Sequence, residues 1–206
     1  MGILHAGIIN SLPDCQIVAI CESDVLARNV SRKLLRNAHF YAKTEKMLAE
    51  EDLDAVFVTT PISSHKQVIQ TIADNGSPHA IFVEKPLATT YKEAQESTAI
   101  AESSGVDTGV GFQKRFAPTF AKAKLLLEQG AIGTPTSFTA YSYLAGVFSQ
   151  GKGWRFDPIQ GGALVDLGPH LIDLIYWYLG EISVSGSCLS KIHSKTVENE
   201  TCGTIV

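Results

Sequence analysis

The sequence predicts an α/β fold: a doubly wound parallel sheet lacking its first strand, followed by an incomplete α+β open-sheet domain. Three observations lead there. Short β-branched and aromatic runs alternate with helical stretches through the first half. Helices between those runs are long enough for right-handed crossovers, which bring successive strands together in parallel. Beyond Phe112 the alternation stops, and strand patterns with one polar face mix with an apolar helix.

The elements follow in order. Met1 opens directly into a helix. Gln16–Cys21 (QIVAIC) reads as a strand, Asp24–Arg36 as a charged helix and Thr44–Glu50 as a second helix. Ala55–Thr60 (AVFVTT) is a buried strand, His65–Asn75 a helix closed by Gly76, and Ala80–Glu84 (AIFVE) a strand. Thr90–Ser104 is a long helix ending at Gly105, and Asp107–Phe112 completes the series. The second half offers a helix at Ala117–Gln129 stopped by Gly130, and an alternating strand at Thr136–Leu144 (TSFTAYSYL). A glycine-rich connection, Gln150–Gly162, leads into an apolar helix at Leu164–Leu179, and Ser183–Ile192 and Thr201–Val206 read as strands. Two domains are expected, 1–112 and 113–206. Both ends look cut: the expected opening strand is missing, and Val206 falls inside a strand, leaving unpaired backbone groups.

Composition narrows the function. The chain has 206 residues, 45% of them hydrophobic, with 17 Lys+Arg against 21 Asp+Glu for a net charge of −4. A mildly acidic chain without basic clusters is poorly suited to nucleic acid or anionic lipid. The four cysteines (Cys15, Cys21, Cys188, Cys202) form no C-x-x-C pair, which points away from a disulfide scaffold or a metal site and toward a reducing, cytoplasmic setting. No signal peptide or spanning segment is read, since the longest uncharged run, Gln129 to Gly151, is broken by Gly, Pro, Ser and Thr.

Four groups of residues could carry chemistry. Glu84-Lys85-Pro86 follows a buried strand, and ligands of open α/β sheets bind at the carboxyl ends of strands. Pro86 keeps Lys85 out of helical conformation. The alternative is a surface lysine, solvated or paired with Glu84. Asp166 and His170 stand four apart on one helical face, a carboxylate beside an imidazole able to accept a proton near neutral pH. Asp173 lies on the same side and could also orient His170. With a helix starting at Leu164, Pro169 falls in the first turn, where amides lack partners anyway. The alternative here is a capping Asp166 and a core histidine. Thr59-Thr60-Pro61 ends the AVFVTT strand, with His65 four residues on, and its amides and hydroxyls could meet a cofactor; Ser63 or Ser64 could equally cap the next helix. Glu22 ends the QIVAIC strand, 20 positions after Gly2, the interval between a dinucleotide fingerprint and the acidic residue at the ribose. Two other matches fail. Gly146–Lys152 fits part of a P-loop, but Gly153 replaces the required Ser/Thr, and Gly109-Val110-Gly111 lacks a third glycine.

Taken together, HAGIINSLPDCQIVAICESD, VTTPISSH, FVEKPLATT, GFQKRFAPTF, AIGTPTSFTAYS and GWRFDPIQGGALVDLGPHLIDLIYWYLG resemble the Gfo/Idh/MocA oxidoreductases, over essentially the whole chain. The resemblance implies a Rossmann domain binding NAD or NADP at 1–112 and an open-sheet domain covering the substrate at 113–206. It implies hydride transfer between nicotinamide and a secondary alcohol or ketone of a sugar, polyol or cyclitol. Lys85 matches the catalytic lysine of the E-K-P motif, and Asp166 and His170 match its D-x-x-x-H element. Gly2, Glu22, Thr59, Thr60, Pro61, His65, Glu84 and Lys85 match the cofactor-binding positions. Glu22 would repel a 2′-phosphate, favouring NAD over NADP. Gly2 matches only the last glycine of the family's fingerprint, so the pyrophosphate loop is incomplete. A homo-oligomer is implied for the full-length protein; a pocket facing Tyr143 and Arg155 is a further expectation. A non-catalytic dinucleotide sensor of the same fold, or an inactive fragment, are the rival readings; both candidate catalytic side chains, Lys85 and His170, are present.

Overall fold

The computed structural model describes residues 1–76, 78–143, 157, 160–190 and 202–206. The chain divides into two compact units, Met1–Val110 and Gly111–Val206.

In the first unit, α1 (Gly2–Ile9) leads into β1 (Ala19–Cys21), α2 (Val25–Leu34), β2 (His39–Tyr41), α3 (Thr44–Glu50) and β3 (Ala55–Val58). A 3-10 turn at Ile62–Ser64 precedes α4 (His65–Asn75), β4 (Ala80–Val83), α5 (Tyr91–Ser104) and β5 (Asp107–Val110). Local chemistry sets the boundaries. The Asp24 carboxylate accepts the Ala27 amide at 2.7 Å and caps α2, while Arg32 and Lys33 suit the negative end of its dipole. The Thr90 hydroxyl accepts the Glu93 amide at 3.2 Å, and the Glu93 carboxylate turns back to take the Thr89 hydroxyl. Gly76 and Gly105 end α4 and α5 in the left-handed region, at φ 70° and 69°.

All strands of this unit pair in parallel, as a Rossmann-type fold requires, yet they form two sheets. β1 pairs with β2, and β3, β4 and β5 make a three-stranded sheet in that order. β2, three residues beginning at an exposed histidine, had no signature in the sequence reading. Among the described residues no strand joins β1 to β3. In the doubly wound order 3-2-1-4-5-6, that interval belongs to the first strand. One core nevertheless serves both sheets. Met47 and Leu48 of α3, Ile69 and Ile72 of α4, Val56 and Val58 of β3, and Ile81 and Val83 of β4 are buried together, with Ala19, Cys21 and Tyr41 packed against them. The alternation in β3 sends Val56 and Val58 inward and leaves Ala55 and Phe57 exposed.

The second unit contains a 3-10 turn (Gln113–Phe116), α6 (Pro118–Glu128), α7 (Ala163–Leu179) and an antiparallel pair, β6 (Ser187–Ser190) and β7 (Cys202–Ile205). Pro118 opens α6 at a position where no amide is needed. The alternation expected over Thr136–Leu144 does not give a strand within its described part: residues 136–143 carry no sheet pairing, and Tyr141 and Tyr143 are exposed. Alternation specifies a strand only where a partner edge pays the backbone's hydrogen bonds. Arg155 and the P-loop-like segment at 146–153 lie outside the described residues. No helix among the described residues is long and apolar enough to cross a membrane.

Candidate functional site

The parallel register sets Val58 beside Val83, so Thr59-Thr60 and Glu84-Lys85 leave the three-stranded sheet as neighbours, with the Glu84 amide donating to the Val58 carbonyl at 3.0 Å. α1 begins at the same place. A Cβ on Gly2 would stand 3.1 Å from Thr59 Oγ1, tighter than ordinary van der Waals contact, so the start of α1 lies close against the end of β3 and a larger residue there would make the Thr59 side chain shift by a few tenths of an ångström.

Around this junction the hydrogen bonds are specific. His5 Nε2 meets Glu84 Oε1 at 2.6 Å, and Glu84 Oε2 accepts the Lys85 backbone amide at 3.2 Å. Glu84 is buried, and the Lys85–Pro86 peptide is cis. His65 is almost wholly buried at 1% exposure. Its Nδ1 faces the Leu87 carbonyl at 3.2 Å and its Nε2 the Thr60 carbonyl at 3.0 Å, so the imidazole bridges the loops after β3 and β4. Ser64 occupies the N-cap position of α4, but its side chain makes no capping hydrogen bond. Its hydroxyl turns back, within reach of Thr60 Oγ1 at 2.9 Å and the Pro61 carbonyl at 2.7 Å, and makes Thr59-Thr60-Pro61 a tied turn.

Glu22 follows β1, with its amide donating to the Tyr41 carbonyl at 3.0 Å. Its carboxylate accepts the Asp24 amide at 2.9 Å, and Arg28 Nη1 donates to the Glu22 carbonyl at 2.5 Å, which fixes the turn. Cys21, just before it, has its thiol pushed up by burial, a state of low reactivity.

Asp166 and His170 belong to the second unit. Asp166 lies inside α7 rather than at its cap, which is Gly162, and is buried. Because the helix starts at Ala163, Pro169 sits past the first turn, inside the helix, and cannot supply the amide that the Val165 carbonyl would otherwise receive. Gly168 accommodates the local crowding, since a Cβ there would stand 2.7 Å from Leu164 Cδ1. Both oxygens of Asp173 accept from Arg115, at 2.6 to 3.1 Å. That fork raises the Arg115 pKa further, chiefly through its hydrogen bonds to Asp173. The guanidinium also lies 5.8 Å from the Trp177 ring centroid.

His5 and Arg115 carry no local sequence signal for the partners they take in the structure. His5 sits three positions after Gly2 on α1, but its partner is 79 residues away, beyond any local pattern.

Comparison with known proteins places this arrangement. Residues 1–112 match a model described as an oxidoreductase family with an NAD-binding Rossmann fold, and residues 120–206 match the GFO/IDH/MocA C-terminal domain. The chain belongs to the GFO/IDH/MocA oxidoreductase family. Among its relatives is the NAD(+) scyllo-inositol 2-dehydrogenase of Bacillus subtilis, 33% identical over 192 residues, which span 90% of this chain and 54% of that one. A structure from Desulfitobacterium hafniense, described as an NADPH-dependent oxidoreductase, superposes with a TM-score of 0.87 at 27% identity, covering 98% of this chain and 58% of that one. The apo scyllo-inositol dehydrogenase of Lactobacillus casei gives a TM-score of 0.81 at 25% identity, covering 94% and 56%. The chain thus spans about half the length of the curated relatives it matches.

Proposed function

We propose that this chain is part of an NAD-dependent dehydrogenase that moves a hydride between nicotinamide and a secondary alcohol or ketone of a sugar, polyol or cyclitol. Residues 1–112 bind the dinucleotide and 113–206 contribute to the substrate domain. One observation supports the reading most: the start of α1, the Thr59-Thr60 turn and the Glu84-Lys85 turn converge at the carboxyl ends of adjacent parallel strands. That is where open α/β sheets take nucleotides. The close approach at Gly2 fits a ligand that needs bare backbone at a helix start. A small-molecule substrate of the polyol class is in keeping with the Bacillus subtilis relative.

In this reading Gly2, Thr59, Thr60 and Pro61 shape the cofactor's seat, His65 and Glu84 hold the loops around it, and Glu22 meets the ribose hydroxyls. Bound nicotinamide supplies the hydride-accepting carbon. Lys85 donates a hydrogen bond to the reacting oxygen and stabilises negative charge as the alcohol proton leaves. His170 receives that proton and Asp166 tunes it.

The test is a panel of polyols and aldoses, assayed for NADH and NADPH formation with the intact protein. Turnover with at least one polyol is expected. Lys85→Met should lose about 10²-fold in kcat, the size typical of losing one such donor, at nearly unchanged NADH affinity. NAD should bind better than NADP, and Glu22→Ala should narrow the gap. Near-normal turnover by Lys85→Met would remove the lysine from the chemistry and favour a non-catalytic sensor.

A further inference from the structure

We propose that His5 is a positioning residue for Lys85, acting through the Glu84 carboxylate. The inference rests on the dehydrogenase reading only for its consequence in turnover; the positioning itself rests on geometry. The two oxygens of Glu84 have different partners: Oε1 meets His5 Nε2 at 2.6 Å, and Oε2 accepts the Lys85 amide at 3.2 Å. A carboxylate is rigid and planar, so fixing one oxygen fixes where the other points. The position of the His5 ring thereby sets the orientation of the peptide that carries Lys85.

That ring is itself held. Its centroid lies 5.1 Å from Phe82 and 5.9 Å from Phe57, tilted by 58° and 46°, while the two phenyl rings stack at 5.0 Å. Both partners are largely withdrawn from water, with side-chain exposures of 18% for His5 and 11% for Glu84, and a charge-assisted hydrogen bond is strong in such a place. The far side of the turn is tethered separately, through the Leu87 carbonyl at His65 Nδ1. Lys85 and Pro86 are therefore bracketed by ties to two helices, α1 on one side and α4 on the other. Lys85 thereby gains a fixed origin for its side chain, which donation to a single substrate oxygen demands.

A purely packing role for His5 is the competing account, and substitutions separate the two. His5→Phe keeps an aromatic ring and removes the hydrogen bond. His5→Gln places an amide nitrogen near the Nε2 position, whereas His5→Asn is too short to reach. The first measurement is amide hydrogen exchange by NMR on this 206-residue chain, with no ligand present. Exchange of the Lys85 amide should accelerate about tenfold in His5→Phe and His5→Asn, the amides of Ile72 and Ile81 should keep their rates, and His5→Gln should recover most of the loss. Unchanged Lys85 exchange in His5→Phe, or a glutamine no better than asparagine, overturns the proposal. Should His5→Phe fail to fold, the glutamine–asparagine pair decides alone. The second measurement is steady-state oxidation of scyllo-inositol with NAD by the intact protein. His5→Phe should lower kcat about tenfold at unchanged KM for NAD, and an unchanged kcat overturns the catalytic consequence. A wild type inert toward every polyol tested sinks the dehydrogenase reading instead, while the exchange rates still decide what His5 does.

Discussion

Glu51 closes α3 and gathers two donors from β2: the Tyr41 hydroxyl, and His39 Nδ1 at 2.6 Å. The Tyr41 hydrogen bond, then that of His39, holds the Glu51 carboxyl below its ordinary range, and the same bond holds the Tyr41 phenol far above its own. A depressed carboxyl contributes stability that is present above the unfolded-state value and lost as pH falls through the folded-state one. Glu51→Gln should therefore lower Tm near neutral pH, and its gap from wild type should shrink on acidification. Tyr41 runs the other way: its contribution is present below the ordinary phenol range and fades as pH rises toward the raised value. Absorbance at 295 nm should show fewer than six tyrosinates forming before alkaline unfolding, with Tyr41, and Tyr178 raised by burial, the late pair. In the second unit Asp173→Asn should cost about 2 kcal/mol in denaturant titrations, because Arg115 then loses its charged partner. At this scale the sequence was unevenly legible. Lys85 could be singled out because a strand end and a following proline are local signals. His5, Arg115 and the fate of Asp173 could not, since each depends on a partner more than 50 residues distant.

Among the elements, α4 carries the clearest energetic signature. Ile72 is fully buried and Ile69 nearly so, both facing the shared core, while the opposite face holds Gln70 and Thr71. Ile72→Ala should destabilise by about 3 kcal/mol in urea titrations. Gly76 ends the helix at φ 70° with nothing within 4 Å of an added Cβ, so Gly76→Ala isolates the backbone term and should cost about 1 kcal/mol. Helices were read well from sequence because caps and glycines are local: α3 and α4 have the expected bounds, and α5 starts one residue after the Thr90 cap. Strands fared less well. β2 is too short to show a period, and residues 136–143 show one without becoming a strand. Pairing partners, not periodicity, decide which alternating segments become sheet.

For the molecule as a whole, the composition and the order of elements conveyed a parallel α/β half followed by a different second half, but not that the first half holds two sheets. Its surface bears on behaviour in solution. α2 presents Leu26, Val30 and Leu34 at i, i+4 spacing with 76%, 52% and 60% exposure, and α1 has no buried residue, with Ile3, Leu4 and Ile8 more than half exposed. Rows of this kind attract apolar probes. The chain should enhance the fluorescence of anilinonaphthalene sulfonate without denaturant, and Leu26→Lys with Leu34→Lys should reduce that signal while leaving the helical circular dichroism intact.

The strand register also bears on how the first unit is acquired. Ala19 pairs with His39, Ala55 with Ala80, and Ala80 with Asp107, separations of roughly 20 to 27 residues. Loop-closure entropy grows only logarithmically with length, so the three crossovers differ by no more than a few tenths of a kcal/mol. None must wait for another on entropic grounds. The order in which they form then falls to side-chain burial, which favours β3 and β4 with α4, where Val58, Ile72 and Ile81 are the most deeply covered. The turn that carries Lys85 would thus be anchored early, with the β1–β2 pair free to close at any stage around it.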